Sequence, residues 1–205
     1  MSALSNLFGW FHKFTHAVYN WMLALSSSPK AMLFLFIVAF AESSFFPIPP
    51  DIMIIPMVLA TPQKAWKIAG LATLASVLGG YFGYGIGVCL FDQIAKPLLS
   101  FYGYLHQFDV FKDYYHEWGA WIVFGAGITP FPYKVITIAS GVVGLNLATF
   151  TIASVIARGM RFYLIAWLLK KWGAPMKEFI EKNLGILSVL FLVLLIGGFV
   201  LIKYI

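Results

Sequence analysis

An apolar stretch over residues 31–60 is cut in its middle by Pro47-Ile48-Pro49-Pro50-Asp51. Proline fixes φ, lacks an N–H and disfavours helix at the residue before it, so three prolines in four positions cannot continue a helix. The two pieces, 31–46 and 51–60, are each shorter than the ~20 residues that a bilayer crossing needs. Irregular backbone in apolar surroundings survives only when buried in protein or facing a watery cavity. The stretch therefore reads as a re-entrant hairpin, which dips in, turns inside the protein and returns to the same side. The anomaly recurs over 119–145, where Pro130-Phe131-Pro132-Tyr133-Lys134 interrupts a second apolar stretch. Pro47, Pro49, Pro50, Pro130 and Pro132 are the expected breaks.

Composition names the solvent. Of 205 residues, 61% are hydrophobic and 11% charged, against about half and about a quarter in soluble domains. A soluble chain of this size has too little interior to hide so much apolar surface. The net charge of +6 sits mostly beside apolar runs, where anionic headgroups are a better partner than nucleic acid. The one cysteine, Cys89, allows no internal disulfide. No apolar run in the first thirty residues ends at a small-residue cleavage site, so the whole chain is expected in the mature protein.

Residues 4–25 place Leu4, Leu7, Phe11, Phe14, Val18, Trp21 and Leu25 three or four apart, with Asn6, His12, Lys13, His16 and Asn20 between them. That spacing predicts an amphipathic helix lying on a bilayer surface. Residues 68–90, 147–169 and 184–202 read as full spans, 91–118 as a loop or surface helix, and 170–183 as a charged connection. The expected fold is an all-α polytopic membrane protein with two re-entrant hairpins, about three transmembrane helices and an interfacial helix. Its expected divisions are 1–28 for the interfacial helix, 29–170 for the membrane domain, and 171–205 for the connection and last span.

The hairpins align without gaps, Pro47-Ile48-Pro49-Pro50-Asp51-Ile52 over Pro130-Phe131-Pro132-Tyr133-Lys134-Val135, and Ala75-Ser76-Val77-Leu78 resembles Ala153-Ser154-Val155-Ile156. The unit "hairpin plus span" is thus expected twice. If both hairpins return to their own side, Lys13, Lys30, Lys64, Lys67, Lys170, Lys171, Lys177 and Lys182 share one face, and Lys96, Lys112 and Lys203 the other. Basic residues concentrate in the cytoplasm. The N-terminus is expected there, the C-terminus outside, and the two repeats in opposite orientation, as in many secondary transporters.

Glu42, Asp51, Lys134, Arg158 and Arg161 lie inside apolar elements. Each costs roughly 2.5–3.5 kcal/mol at a helix centre on insertion scales, so each must pair, reach water or bind something. Lys134, near the start of a half-helix, would join its charge to exposed backbone amides and favour an anion; the alternative is a snorkelling or salt-bridged lysine. Asp51 would either cap its half-helix or hold a cation. Arg158 and Arg161, three apart, share a helix face, and paired guanidinium forks suit a phosphate; they would equally serve as structural partners of the carboxylates. Glu42 and Asp51 are the candidates for proton coupling or counter-charge, because a carboxyl can carry a proton through an apolar barrier as a neutral acid. The alternative for Glu42 is a purely structural glutamate. His106 and His116, with Asp109, Asp113 and Glu117, lack metal-ligand spacing and read as solvated loop residues. No metal, cofactor or catalytic residue is expected, and all four histidines are expected outside the spans, so the chain does not read as an enzyme.

Phe40-Ala41-Glu42-Ser43-Ser44, Pro47-Ile48-Pro49-Pro50-Asp51, the glycine-rich span after them and Ala139-Ser140-Gly141 resemble the DedA family, which carries the SNARE-associated or VTT domain, and within it the YqaA-like branch. The resemblance covers roughly residues 30–170. Typical members have arginines where this chain has Gly127 and Tyr133, with Lys134 one step beyond; Arg158 and Arg161 would supply the charge instead. The resemblance implies a bacterial inner-membrane protein that flips or recycles polyprenyl phosphate (undecaprenyl phosphate) or phospholipid in dependence on the proton-motive force, and Glu42 and Asp51 would then carry protons or counter-charge. In that role Arg158, Arg161 and Lys134 would hold the phosphate. A passive scramblase and a structural or assembly protein are the alternatives. Membrane lipids and an anionic lipid-linked substrate are the expected partners, and the oligomeric state is left open.

Overall fold

The computed structural model describes residues 26–173 and 175, apart from 47, 92, 94, 95, 102, 104, 130 and 174. The expected interfacial helix at 4–25, the span at 184–202, most of the 170–183 connection, and Pro47 and Pro130 lie outside the described residues.

Every described element is helical. Helix α1 (Ala31–Ser44) stops where the amides of Phe45 and Phe46 both turn back to the Ala41 carbonyl. Helix α2 (Asp51–Ala60) starts directly after Pro50. Its end is marked by Thr61, whose hydroxyl donates to the Met57 carbonyl. A single 3-10 turn then leads into α3 (Ala65–Leu90). The short α4 (Lys96–Phe101) precedes α5 (Leu105–Ile128). The second proline cluster separates α5 from α6 (Tyr133–Val143), and α7 (Leu147–Gly173) completes the set. Asn146 caps α7, its Oδ1 accepting from the amides of Ala148 and Thr149, as capping chemistry favours.

Two cores order these helices. Leu35, Met53, Ile54, Val58, Ile68 and Phe162 join α1, α2, the start of α3 and the end of α7. Tyr115, Val123, Tyr133, Val143, Leu145 and Phe150 join α5, α6, the end of α3 and the start of α7. Helices α3 and α7 run antiparallel through both. Trp66 stacks on Tyr163 at one end, and Tyr81 shares a 2.7 Å hydrogen bond with Thr151 toward the other. Each broken helix pair occupies one end, and the breaks meet between the cores. There the Thr137 hydroxyl of α6 donates to the Ser43 carbonyl of α1.

Such crossings need close backbones, and glycine supplies them. A Cβ on Gly79 would strike the Phe40 carbonyl of α1; one on Gly87 would strike the Ile138 carbonyl of α6, and one on Gly141 the Tyr84 carbonyl of α3.

The structure decides one alternative. Residues 105–118, expected as a loop or a surface helix, are helical, and the boundary expected at 119 is not an element end. They continue into a single 24-residue helix through Gly119. A helix-interior glycine costs only about 1 kcal/mol, and here it makes room for the Leu145 side chain, which a Cβ would meet at 2.5 Å. His106 and His116 accordingly lie on a helix, and His116 Nε2 bonds the Val143 carbonyl at 3.1 Å.

The outer surface is apolar. Leu74, Leu78 and Phe82 are exposed along α3, and Ile152, Val155, Ile156, Met160 and Leu164 along α7. Contiguous apolar stripes of this length mark a surface that water does not cover. Pro62–Leu90 and Leu147–Gly173 are long and apolar enough to cross a bilayer. At the end holding Lys170 and Lys171, Trp66, Trp167 and Trp172 are exposed, and the two ammonium groups lie over their rings at 4.7–5.3 Å. Tryptophan with lysine is the composition of a membrane interface.

Candidate functional site

Where the breaks meet, α7 presents both of its arginines. Arg158 is almost wholly buried, its side chain 3% exposed. Its Nη2 bonds Glu42 Oε2 of α1 at 2.7 Å, and its Nε bonds Ser76 Oγ of α3 at 2.6 Å. The guanidinium lies between two aromatic faces, Tyr133 of α6 at 4.9 Å and Phe162 at 4.6 Å. Each face contributes about 0.5–2 kcal/mol of cation–π attraction, more as water is excluded.

The hydroxyls close this arrangement into a ring. Ser43 Oγ donates to Glu42 Oε2 at 3.1 Å and lies 2.6 Å from Ser76 Oγ. A serine hydroxyl has one proton. Ser43 spends it on Glu42, so Ser76 must donate to Ser43 while accepting from Arg158 Nε. Donation runs from Arg158 to Ser76, to Ser43, to Glu42 Oε2, which Arg158 meets again through Nη2. Each of the four hydrogen bonds in the circuit thus has one donor and one acceptor.

One turn along, Arg161 is less enclosed. Its Nη2 meets Asp51 Oδ2 at 2.6 Å, with side chains 19% and 18% exposed. Its Nη1 donates to the Thr129 carbonyl at 2.7 Å. Asp51 opens α2 immediately after the first break, and Thr129 lies in the second. Arg161 thus clasps both breaks at once. The pair is incomplete: Asp51 Oδ1 and Arg161 Nε are buried and have no hydrogen-bond partner.

Four of the five sequence-selected ions are therefore brought together as two ion pairs. Asp51 does not cap its half-helix; α2 has no side-chain cap, because the carboxylate is drawn to the stronger partner on α7. Lys134, half-buried in the first turn of α6, has no ion-pair partner among the described residues. The sequence reading missed Tyr133, which is fully buried, stacks on Arg158 and bonds Ser154. The repeat carried a signal for it. Ser76 and Ser154, matched in the alignment, each bond a helix that borders a break, through Ser43 of α1 and Tyr133 of α6. Gly127 was also missed as a packing position: a Cβ there would meet Ala157 Cβ at 2.6 Å and Arg158 Cδ at 3.7 Å, so only glycine lets α7 bring its arginines this close to α5.

A family model described as the VTT domain matches residues 48–171, which takes in the end of the first break, the whole of the second and both arginines. The chain belongs to the VTT domain family. This is the domain of the DedA proteins, and with its apolar helices it makes the chain a membrane protein. An uncharacterized protein of Haemophilus influenzae is 33% identical to this VTT-domain chain over 186 residues, covering 91% of the chain and 96% of the relative. An uncharacterized protein of Histophilus somni is 37% identical over 155 residues, covering 74% and 81%. No solved structure matches the VTT-domain chain.

Proposed function

We propose that this protein moves an anionic lipid, a polyprenyl phosphate or a phospholipid, across the bacterial inner membrane. The broken pairs α1–α2 and α5–α6 would be re-entrant hairpins entering from opposite faces, with the lysine-rich end in the cytoplasm. The observation that carries the reading is Arg161, a guanidinium between the cores that holds both breaks and keeps unused hydrogen-bonding capacity. A phosphate bound there would compete with Asp51 and the Thr129 carbonyl, loosening the clasp between the two halves. Lys134, on the second half-helix, would add a further cation. Arg158, stacked on Tyr133 beside Gly127, brings charge to the region where related proteins carry arginines on the hairpin itself.

The test is reconstitution into vesicles with labelled polyprenyl phosphate and common phospholipids. Transport by the wild-type protein and its loss in Arg161→Ala are expected; undiminished transport in that variant would remove the arginine from the mechanism. Collapsing the proton gradient separates the coupled form from a passive scramblase, which would continue. The closed ring at Glu42 favours a second reading for that pair alone, a structural one. Recovery of folding and transport by the swap Glu42→Arg with Arg158→Glu would support it and take proton carriage away from Glu42.

A further inference from the structure

Far from the clasp, at the end where α3 begins and α7 finishes, cations gather without an anion. Lys170 of α7 holds its ammonium 5.3 Å from the centre of the Trp66 ring on α3. Trp66 is flanked in the chain by Lys64 and Lys67, both exposed. Lys171, next along α7, lies over Trp167 and Trp172. A tryptophan face attracts an ammonium but has no net charge to neutralise it. The sequence supplies no counter-charge either: residues 52–91 and 133–173 contain no aspartate or glutamate, and the connection 174–183 carries two lysines and two glutamates. The carboxylates of Glu42 and Asp51 are engaged by Arg158 and Arg161. The anion that balances these lysines comes from outside the chain.

The neighbouring surface says what kind of anion. Trp66, Leu74 and Leu78 lie four or eight residues apart on α3, and Lys170, Trp167, Tyr163, Met160 and Ile156 three or four apart on α7, all exposed. Trp66 stacks on Tyr163 and so joins the two stripes. A cationic head end thus continues into an apolar lane on both helices, which fits a phosphate carrying acyl chains rather than a free one. The signs of charge then select the headgroup. In phosphatidylethanolamine an ammonium cancels the phosphodiester charge, and no described carboxylate stands here to hold it. In phosphatidylglycerol the rest of the headgroup is a neutral diol. We propose that Lys67, Lys170 and Lys64, grouped around Trp66, bind the headgroup of an anionic phospholipid without an ammonium, its chains lying along Leu74, Leu78, Met160 and Ile156. This lipid bridges the start of α3 and the end of α7 as a retained ligand, at a place distinct from the breaks and independent of the transport reading.

The experiment places the full chain in phosphatidylcholine nanodiscs containing a minor share of phosphatidylglycerol or phosphatidylethanolamine brominated in the acyl chains, and reads the quenching of tryptophan fluorescence. A lysine near an anionic headgroup favours it by roughly 5-fold. Contact with two lysines should therefore enrich phosphatidylglycerol about 25-fold over phosphatidylethanolamine at low salt. The preference should shrink in half-molar salt, where the screening length falls to about 4 Å. Lys67→Gln with Lys170→Gln should remove most of it, whereas Lys96→Gln with Lys112→Gln, at the opposite end, should leave it unchanged. Equal quenching by the two lipids in the wild-type protein overturns the proposal without any variant. So does a preference that survives the first pair of substitutions or disappears with the second. Loss of the preference on adding millimolar inorganic phosphate would assign the lysines to a soluble anion and overturn the lipid site. Each of these results leaves the vesicle transport test of Arg161 untouched.

Discussion

Replacing Arg158 by methionine removes the guanidinium but keeps an unbranched chain between Tyr133 and Phe162. Glu42 would then hold a carboxylate, 15% exposed, with Ser43 as its one remaining described donor, and Ser76 would lose the Nε–H it accepts. Removing one partner of a buried ion pair costs about 3–5 kcal/mol, and the shallow exposure of both side chains leaves little screening by water. Glu42→Gln should cost less, about 1.5–3 kcal/mol, because the amide oxygen can still accept from Nη2 while the charge is lost. The double variant Glu42→Leu with Arg158→Met removes both charges and is expected within about 1 kcal/mol of wild type. Equilibrium unfolding in mixed micelles titrated with dodecyl sulfate, followed by tryptophan fluorescence, reads all three. If Arg158→Met lies within 1 kcal/mol of wild type, or the double variant is less stable than Arg158→Met, the closed ring does not hold α1 to α7.

Gly87→Ala and Gly141→Ala each set a methyl against a backbone carbonyl and should cost about 1–3 kcal/mol or more; Gly85→Ala, with nothing within 4 Å, should be neutral or gain up to about 1 kcal/mol, both read as thermal midpoints in detergent. Tyr133→Phe loses the bond to Ser154 while keeping its ring over Arg158, so it should cost about 1 kcal/mol and less than Tyr133→Leu. In a Cys89→Ser background, a membrane-impermeant maleimide should label Lys67→Cys from the cytoplasmic side and Lys112→Cys from the opposite side; labelling from the same side would refute the opposed orientation of the repeats.

The breaks were legible in the sequence because proline acts locally. One proline can be carried inside a helix, as Pro56 is in α2, but three within four positions remove too many N–H groups, and α1 ends at Ser44 and α2 begins at Asp51 accordingly. The stretch before 119 was less legible, because its charges and aromatics suit a loop and a surface helix equally; it is helical from Leu105 on, and at Gly119 the helix meets the Leu145 side chain. The cost of a bare charge in apolar surroundings also singled out Glu42, Asp51, Lys134, Arg158 and Arg161 without any structure.

Partnership was another matter. Arg158 and Glu42 lie 116 residues apart, and Arg161 and Asp51 lie 110 apart; no local pattern says which cation meets which anion. Asp51, Lys134 and Ser76 carry the chemistry of a cap, an anion site and a helix-surface hydroxyl, and only the crossing of α1, α3, α6 and α7 assigns the first to Arg161, leaves the second without an ion-pair partner among the described residues and sets the third in a ring. Identity and charge belong to the chain, whereas hydrogen bonds depend on ångström-scale positions that exist only once the helices have packed.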